Sequence, residues 1–194
     1  MTAPSRRSAE NQKLKTTGND AAEKLNEHCE KGQVRGYRAH LDIRSRHQLR
    51  VRRVVALFAA VSKGDARPVV DGLAACFEHF FLGDHALGGS RFTLEKTRLW
   101  YERLYRLLPD ISFDLRAIRI SGPPWNTLVA VDWLESNSGT DGVRTFTPGV
   151  HVVRLAWGRM TYIGIYPDTV GLVATLQRLS RAGIAEATAE KIEG

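Results

Sequence analysis

Hydrophobic and polar residues alternate along four stretches in the second half of the chain, at residues 111–122, 127–135, 145–157 and 160–168. Turn-forming segments such as SGPPWN and SNSGTDG separate these stretches. A period of two predicts β-strands, because successive side chains of a strand point to opposite faces of the sheet. Four long strands joined by short turns favour an antiparallel meander.

Apolar residues in the first half recur at helical spacing instead. A helix is predicted from about Ser45 to Ser62, and the segment Lys63-Gly64-Asp65 ends it. A second helix is predicted to begin at Pro68, because proline suits the first turn of a helix. The residues expected to face inward from it are Val69, Leu73, Cys76, Phe77 and Phe80.

Two further helices have clear start signals. Thr93 is a good N-cap for a third helix that runs to about Leu108, and Asp168 or Thr169 can cap a closing helix. The apolar face of the closing helix consists of Leu172, Leu176 and Leu179. Helices followed by a block of strands indicate an α+β fold.

Length and composition fit one ordinary domain. The chain has 194 residues, 43% of them hydrophobic, and its sequence contains no run of the roughly 18 apolar residues that a membrane span needs. Cys29 and Cys76 are too few for a disulfide framework or a metal site. We therefore expect a cytoplasmic protein without a cofactor or a metal. Residues 44–183 are assigned to the domain, residues 1–43 to a basic, partly disordered or helical leader, and residues 184–194 to a C-terminal tail.

The charge excess lies near the N-terminus. Residues 1–53 contain 13 Lys/Arg and 6 Asp/Glu, an excess equal to the net charge of +7 of the whole chain. A basic segment of this kind can attract nucleic acid phosphates. No aromatic residue lies between Arg44 and Arg53, so the base-stacking part of a single-strand binding surface is missing there. A solvated helical face explains the charge more simply, and nucleic acid is the less favoured partner.

The order of the elements is similar to that of a known superfamily. Residues 157–179 (WGRMTYIGIYPDTVGLVATLQRL) join a strand directly to the closing helix, and LLPDISFDL follows the third helix. Both segments resemble the nuclear transport factor 2-like superfamily, in particular its SnoaL-like polyketide cyclase branch, over about residues 48–180. The resemblance implies a cone, in which a curved antiparallel sheet and three to four helices enclose one pocket.

His151 and Glu135 are the main candidates for chemistry in that pocket. By strand alternation His151 shares a face with Thr147 and Gly149, whereas Asp132 and Glu135 point to opposite faces. If the His151 face is concave, an imidazole of near-neutral pKa suits acid/base work there. Glu135 is its possible partner in an acid/base couple. A core histidine that is hydrogen-bonded to its surroundings explains the same pattern.

A loop histidine and five aromatic residues complete the predicted site. His85 precedes the third helix, where related pockets often place a polar residue at the rim, although an ordinary surface histidine fits the same position. Aromatic rings suit an apolar ligand. Those expected to contact it are Trp100, Tyr101, Tyr105, Trp133 and Tyr166.

Two classes of function fit these features. The first is a cofactor-independent enzyme that cyclises, isomerises or hydrates a small hydrophobic, polyketide- or terpenoid-like molecule, with His151 and Glu135 as acid/base groups and His85 at the entrance. The second is a non-catalytic ligand-binding or dimerisation module of the same fold. Both faces of the strand at 127–135 carry apolar residues, which predicts a homodimer through the outer sheet face unless the leader covers it.

Overall fold

The computed structural model describes the backbone of residues 36–194 and the side chains from His47 onward. The chain divides into two units, Met1–Gln48 and Leu49–Gly194. The described residues that line the candidate site all belong to the second unit. The predicted disorder of residues 1–20 and the predicted helical stripe of the leader lie outside the described residues.

Four α-helices and six strands occur in the described residues. The helices are α1 (Gly36–Val61), α2 (Arg67–Asp71), α3 (Leu94–Leu107) and α4 (Thr169–Arg181), followed by a 3-10 turn at Ala185–Thr188. The strands are β1 (Leu73–Phe81), β2 (Gly89–Arg91), β3 (Ser112–Ser121), β4 (Thr127–Asn137), β5 (Thr145–Ala156) and β6 (Arg159–Pro167). The predicted α+β class is confirmed. No helix in this part of the chain is both long and apolar enough to cross a membrane.

The strands form one curved sheet in the order β2-β1-β6-β5-β4-β3. Strands β3 to β6 pair with their sequence neighbours in antiparallel fashion, which confirms the predicted meander. β1 pairs parallel with β6, so the sheet is mixed and not wholly antiparallel. The pairing register shifts between Leu73 and Glu78, between Leu115 and Ala117, and at Arg154. Such bulges bend a sheet locally and increase its twist.

The predicted second helix is wrong beyond its first turn. α2 ends at Asp71, and the segment Leu73–Phe81 forms β1. Phe77, His79 and Phe81 of this strand are buried, at a spacing of two. A short apolar run such as LAACFEHFF fits both the helical period and the strand period in the sequence. Its backbone pairs with β2 on one side and β6 on the other, and these hydrogen bonds stabilise the strand.

The helix caps and the alternation of β4 agree with the sequence. Thr93 accepts a hydrogen bond from the backbone N–H of Lys96 at the start of α3, and Asp168 accepts one from Val170 at the start of α4. Every second residue of β4 is buried, from Thr127 to Asn137. Apolar side chains of this inner face and of all four helices form one hydrophobic cluster.

The segment 184–194, predicted to be a tail, is bound to the domain by ion pairs. Glu186 lies 2.6 Å from Arg106 and 3.4 Å from Arg103, both on α3. Lys191 lies 2.9 Å from Asp84 in the loop between β1 and β2. Charged residues without periodicity give no sign of such pairing in the sequence. The predicted domain boundaries themselves stay predictions.

Candidate functional site

An apolar cavity of about 90 Å³ lies between the inner face of the sheet and the helices. Apart from tryptophan, the residues of its wall with polar side chains are Tyr101, Glu135, Thr147 and His151. Sites for drug-sized ligands span roughly 300 to 1,000 Å³. A cavity of this size holds a small molecule or the reactive part of a larger one.

β4 and β5 place the two main candidate groups at opposite ends of one wall. Glu135 lies opposite Thr147, Trp133 opposite Gly149, and Val131 opposite His151. At about 3.3 Å per residue, the four positions between these rows put the Glu135 and His151 backbones roughly 13 Å apart along the strands. The two groups therefore do not exchange a proton directly, and they line two different ends of the cavity.

Glu135 is a buried carboxyl, 4% exposed, in this apolar wall. Asn137, the next inward residue of β4, donates from Nδ2 to Glu135 Oε1 at 2.8 Å. The amide oxygen of Asn137 accepts from the backbone N–H of Gly139 at 3.0 Å, which orients the amide nitrogen toward Glu135. Burial raises the pKa of Glu135 to about 7, while hydrogen bonds from Asn137 and Thr147 oppose the shift. The carboxyl therefore gains and loses a proton near neutral pH.

His151 lies among aromatic rings at the other end of the wall. Trp133 donates its Nε1–H to His151 Nδ1 at 2.7 Å. The imidazole packs edge to face on Phe58, Phe113 and Trp133, with ring centroids 4.9, 6.3 and 5.4 Å away. Because Nδ1 accepts a hydrogen bond, the neutral ring carries its proton on Nε2.

Burial lowers the pKa of His151 to about 3. The expectation of a near-neutral pKa for this imidazole is therefore wrong, since aromatic surroundings disfavour its cationic form. At physiological pH the ring is neutral. Its Nε2–H is then available as a neutral hydrogen-bond donor, and the ring is not a proton donor in the sense of an imidazolium.

Gly149 makes room for the Trp133 ring. A Cβ atom at this position would lie 2.8 Å from Trp133 Cζ3, closer than side chains approach in folded proteins. The indole thus lies on the bare backbone of β5, and its N–H reaches His151 two residues further along that strand.

The comparisons with known proteins bear on the fold. No protein-family model and no curated protein matches the sequence. Among solved structures, PrhC from Penicillium brasilianum superposes with a TM-score of 0.60 at 12% identity, covering 71% of this chain and 91% of PrhC. An NTF2-like protein of unknown function from Burkholderia pseudomallei superposes with a TM-score of 0.58 at 16% identity, covering 64% of this chain and 95% of that one. The chain has the nuclear transport factor 2-like (NTF2-like) fold.

A third solved structure belongs to the branch that the sequence resembles. A protein from Jannaschia sp. CCS1 that is described as a SnoaL-like polyketide cyclase superposes with a TM-score of 0.51 at 16% identity, covering 64% of this chain and 89% of that one. The predicted resemblance is thereby confirmed for the fold. At such identities the NTF2-like fold is shared, and the chemistry has to be argued from the site.

The NTF2-like fold brings five of the eight predicted site residues to the cavity wall. These are Trp100, Tyr101, Trp133, Glu135 and His151. Trp100 uses its Nε1–H on the carbonyl oxygen of Leu87 at 2.8 Å, so its ring contributes only an apolar surface. The roles assigned to the five residues stay predictions.

The other three predicted residues do not line this cavity. His85 contacts its own loop, with Nε2 3.2 Å from the Leu82 carbonyl oxygen and Nδ1 accepting from the backbone N–H of Leu87 at 3.3 Å. Tyr105 lies in an open cleft beside α2. Tyr166 lies on the outer sheet face, where its hydroxyl is 2.5 Å from that of Tyr162. Alternation along β6 sends Tyr166 outward, since the neighbouring Ile165 faces the cavity.

Sequence reasoning missed two supporting residues of the site. Asn137 lies two positions after Glu135, and this spacing on one strand was the available signal for a shared face. Phe58 lies within the first predicted helix, and its packing on His151 depends on how α1 lies on the sheet.

A buried arginine stabilises the loop before β2, outside the cavity wall. Arg91 donates from Nε to His79 Nδ1 at 3.0 Å and from its terminal nitrogens to the carbonyl oxygens of Gly88 and Gly89. Its guanidinium lies 5.1 Å from the centroid of Trp100. The interactions hold the loop before β2 against α3. Neither Arg91 nor His79 reaches the cavity.

The described residues give no sign of a metal centre. No group of three or more His, Cys, Asp or Glu side chains suited to a metal ion occurs in this part of the chain.

Proposed function

We propose that this chain is a cofactor-independent enzyme that moves a proton on a small hydrophobic carbonyl compound. The observation that carries the proposal is Glu135, a carboxyl with a pKa of about 7 in an apolar cavity wall. A buried group with such a pKa acts as a base and as an acid at the same pH.

Glu135 would take the proton from the carbon next to the substrate carbonyl. The electron pair of the C–H bond then moves to the carbonyl oxygen, and an enolate forms. Return of the proton to a different carbon gives an isomerisation. Attack of the enolate carbon on a second carbonyl gives a cyclisation, in which the new alkoxide takes the proton from Glu135.

His151 would stabilise the enolate oxygen. Trp133 fixes the imidazole in the form that carries its proton on Nε2, and the low pKa keeps that form at neutral pH. A hydrogen-bond donor held in place in an apolar site stabilises a developing oxyanion without reorganisation. The separation of Glu135 and His151 leaves space for a substrate between them.

A polyketide-like substrate is proposed from the resemblance of the sequence to the SnoaL-like branch, whose fold the chain shares. Polyketides carry alternating carbonyl groups, whose neighbouring C–H bonds are acidic enough for such chemistry. A non-catalytic ligand-binding module is the alternative that the experiment must separate.

Exchange of α-protons in D₂O tests the proposal with cyclohexanone and 2-methylcyclohexanone as probes. We expect the protein to accelerate exchange above the buffer rate, with a rate that rises with pH around an apparent pKa of about 7. Glu135→Gln should lower the protein-dependent rate by a factor of about 100 or more. Asp132→Asn, on the outer side of the same strand, is the matched control and should leave it unchanged. Equal exchange with Glu135→Gln, or no acceleration by the protein, would reject the enzyme in favour of a binding module.

We also propose that the chain forms a homodimer through the outer face of its sheet. Leu128, Phe146 and Val150 point to that face and are 40%, 62% and 37% exposed. Apolar patches of this kind favour association with a second copy. Light scattering should give the dimer mass for the full chain and the monomer mass for Phe146→Glu. A monomeric full chain would contradict this proposal.

A further inference from the structure

A second cavity, of about 330 Å³, lies beside the first along the inner sheet face. Its floor is apolar and consists of Ile120 on β3, Val129 and Val131 on β4, and Leu155 on β5. Its volume is within the usual range of small-molecule sites. Glu135 and His151 are not part of its wall. The floor suits a hydrocarbon body, and the proposed proton transfer makes no use of it.

Two arginines lie on the wall of this second cavity. Arg50 and Arg53 belong to α1 and are three residues apart, so they project from the same side of the helix. The described residues that line the cavity include no Asp or Glu. A guanidinium pairs with a carboxylate through two parallel hydrogen bonds. The wall is therefore complementary to an anionic group attached to an apolar body.

An exposed pair of tryptophans lies next to this cavity. Trp157 and Gly158 form the turn between β5 and β6, and Trp157 has a φ of 53°, a strained conformation for a bulky residue. Trp157 is 74% exposed, and its ring centroid lies 5.8 Å from that of Trp125, which is 59% exposed. The backbone N–H of Trp157 donates to the Pro124 carbonyl oxygen at 2.7 Å, and both Pro124 and Gly158 line the cavity.

Core packing does not offset the backbone strain at Trp157, because this residue is largely exposed to solvent. A strained residue that the core does not require points to a function for its side chain. Two neighbouring exposed indoles offer a large apolar surface with polar edges, which suits contact with an amphipathic molecule.

We propose that the second cavity binds a single-chain amphipathic carboxylate. The hydrocarbon chain lies on the Val129 and Val131 floor, the carboxylate pairs with Arg50 and Arg53, and the two indoles cover the exposed part of the chain. The site goes beyond the proposed proton transfer and does not depend on Glu135. Leu57 and Phe58, which line both cavities, separate it from the first one.

Calorimetric titration with decanoate tests the site. Arg50→Ala and Arg53→Ala should each weaken binding about tenfold, because each removes a charge-assisted hydrogen-bonding partner. Arg52→Ala is the matched control, since Arg52 is on the same helix but does not line the cavity. Decanol, which has the same chain without the charge, should bind the parent protein about tenfold more weakly than decanoate. Equal losses for all three arginine variants, or equal binding of decanol, would overturn the assignment of the carboxylate to Arg50 and Arg53.

A second variant separates binding from folding. Trp157→Asn should raise the melting temperature, because asparagine tolerates this backbone conformation and Asn-Gly is a favoured hairpin turn. The same variant should weaken decanoate binding severalfold. If this variant melts higher and binds decanoate as tightly as the parent, the tryptophans do not contribute to decanoate binding.

Two further measurements distinguish this site from its alternatives. Glu135→Gln should bind decanoate with unchanged affinity, and a loss there would place the ligand in the first cavity and overturn the proposal. Binding to phosphatidylglycerol vesicles without binding to free decanoate would also overturn it, because the arginines and indoles would then contact a membrane surface. If the protein does not accelerate α-proton exchange of cyclohexanone, the proposed enzyme is rejected, but the results expected for decanoate binding stay the same.

Discussion

The two ends of the first cavity wall respond to the same physical effect in opposite ways. Removal of water raises the pKa of Glu135 to about 7 and lowers that of His151 to about 3. In both cases burial favours the neutral form, which for a carboxyl is the protonated one and for an imidazole the deprotonated one. Near pH 7 the carboxyl of Glu135 therefore gains and loses a proton, whereas the imidazole of His151 stays neutral.

This difference reverses the ranking that residue types suggest. Histidine is the usual acid/base group at neutral pH because its ordinary pKa is about 6.5. Among aromatic rings that advantage is lost, and in the proposed reaction His151 acts as a neutral hydrogen-bond donor. Glu135 retains one polar end through Asn137 and Thr147, which keeps its pKa from rising further. In the proposed reaction the surroundings of each group, and not its type, decide which of the two transfers the proton.

The largest expected effect on stability is at Glu135. Between pH 4.5 and 7 the folded chain holds a proton on Glu135 that the unfolded chain has lost, so the free energy of unfolding falls as the pH rises through this window. The difference between the two pKa values corresponds to about 3 kcal/mol. We therefore compare the free energy of unfolding of Glu135→Gln with that of the parent at each pH. This difference should favour the variant by up to about 3 kcal/mol more at pH 8 than at pH 4.

Urea unfolding at the two pH values measures this gain. Asp132→Asn, on the opposite face of β4, should show no such difference between pH 4 and pH 8. A gain for Glu135→Gln that is the same at both pH values would mean that the carboxyl is not held neutral by burial.

A smaller effect of opposite sign is expected at His151. Below pH 6.5 the unfolded chain binds a proton that the folded chain does not bind until about pH 3, so stability is lost as the pH falls. At pH 5 this loss amounts to about 2 kcal/mol. His151→Gln retains an acceptor for the Trp133 N–H and does not titrate. The free energy of unfolding that this variant lacks relative to the parent should therefore shrink by about 2 kcal/mol between pH 7.5 and pH 5.

Thermal or urea unfolding across this pH range measures the effect. His47→Gln, which replaces an exposed histidine on α1, is the control and should follow the parent. A parallel pH dependence of the parent and His151→Gln would show that His151 is protonated in the folded chain above pH 5.

The sequence predicted those parts of the fold that depend on local patterns. The alternation of β4, the caps Thr93 and Asp168 and the meander of β3 to β6 all follow from neighbouring residues. β1 was mistaken for a helix, because its strand pairing depends on β6, which lies more than 70 residues away in the chain. A partner at such a distance leaves no trace in a local period.

The same distinction applies to the candidate site. Alternation was sufficient to send Asp132 and Glu135 to opposite faces, whereas the pairing of β4 with β5 puts Glu135 and His151 on the same face. The pKa values depend instead on what packs against that face. Phe58 reaches His151 from a different element, and this contact requires the tertiary structure.

The smallest expected effect tests the contact that connects the two ends of the wall. Gly149→Ala places a methyl group where the Trp133 ring lies, so the ring has to move away from β5. Overpacking of this kind costs about 1 kcal/mol or more. The displaced indole would lose its hydrogen bond to His151, and the NMR resonance of the Trp133 indole N–H should shift. Gly171→Ala in α4 is the control, because its nearest contact is Asp168 Oδ2 at 3.3 Å and alanine favours a helix. An unchanged melting temperature and an unshifted indole resonance in Gly149→Ala would show that Trp133 does not depend on a glycine, and the fixed form of His151 would then need another explanation.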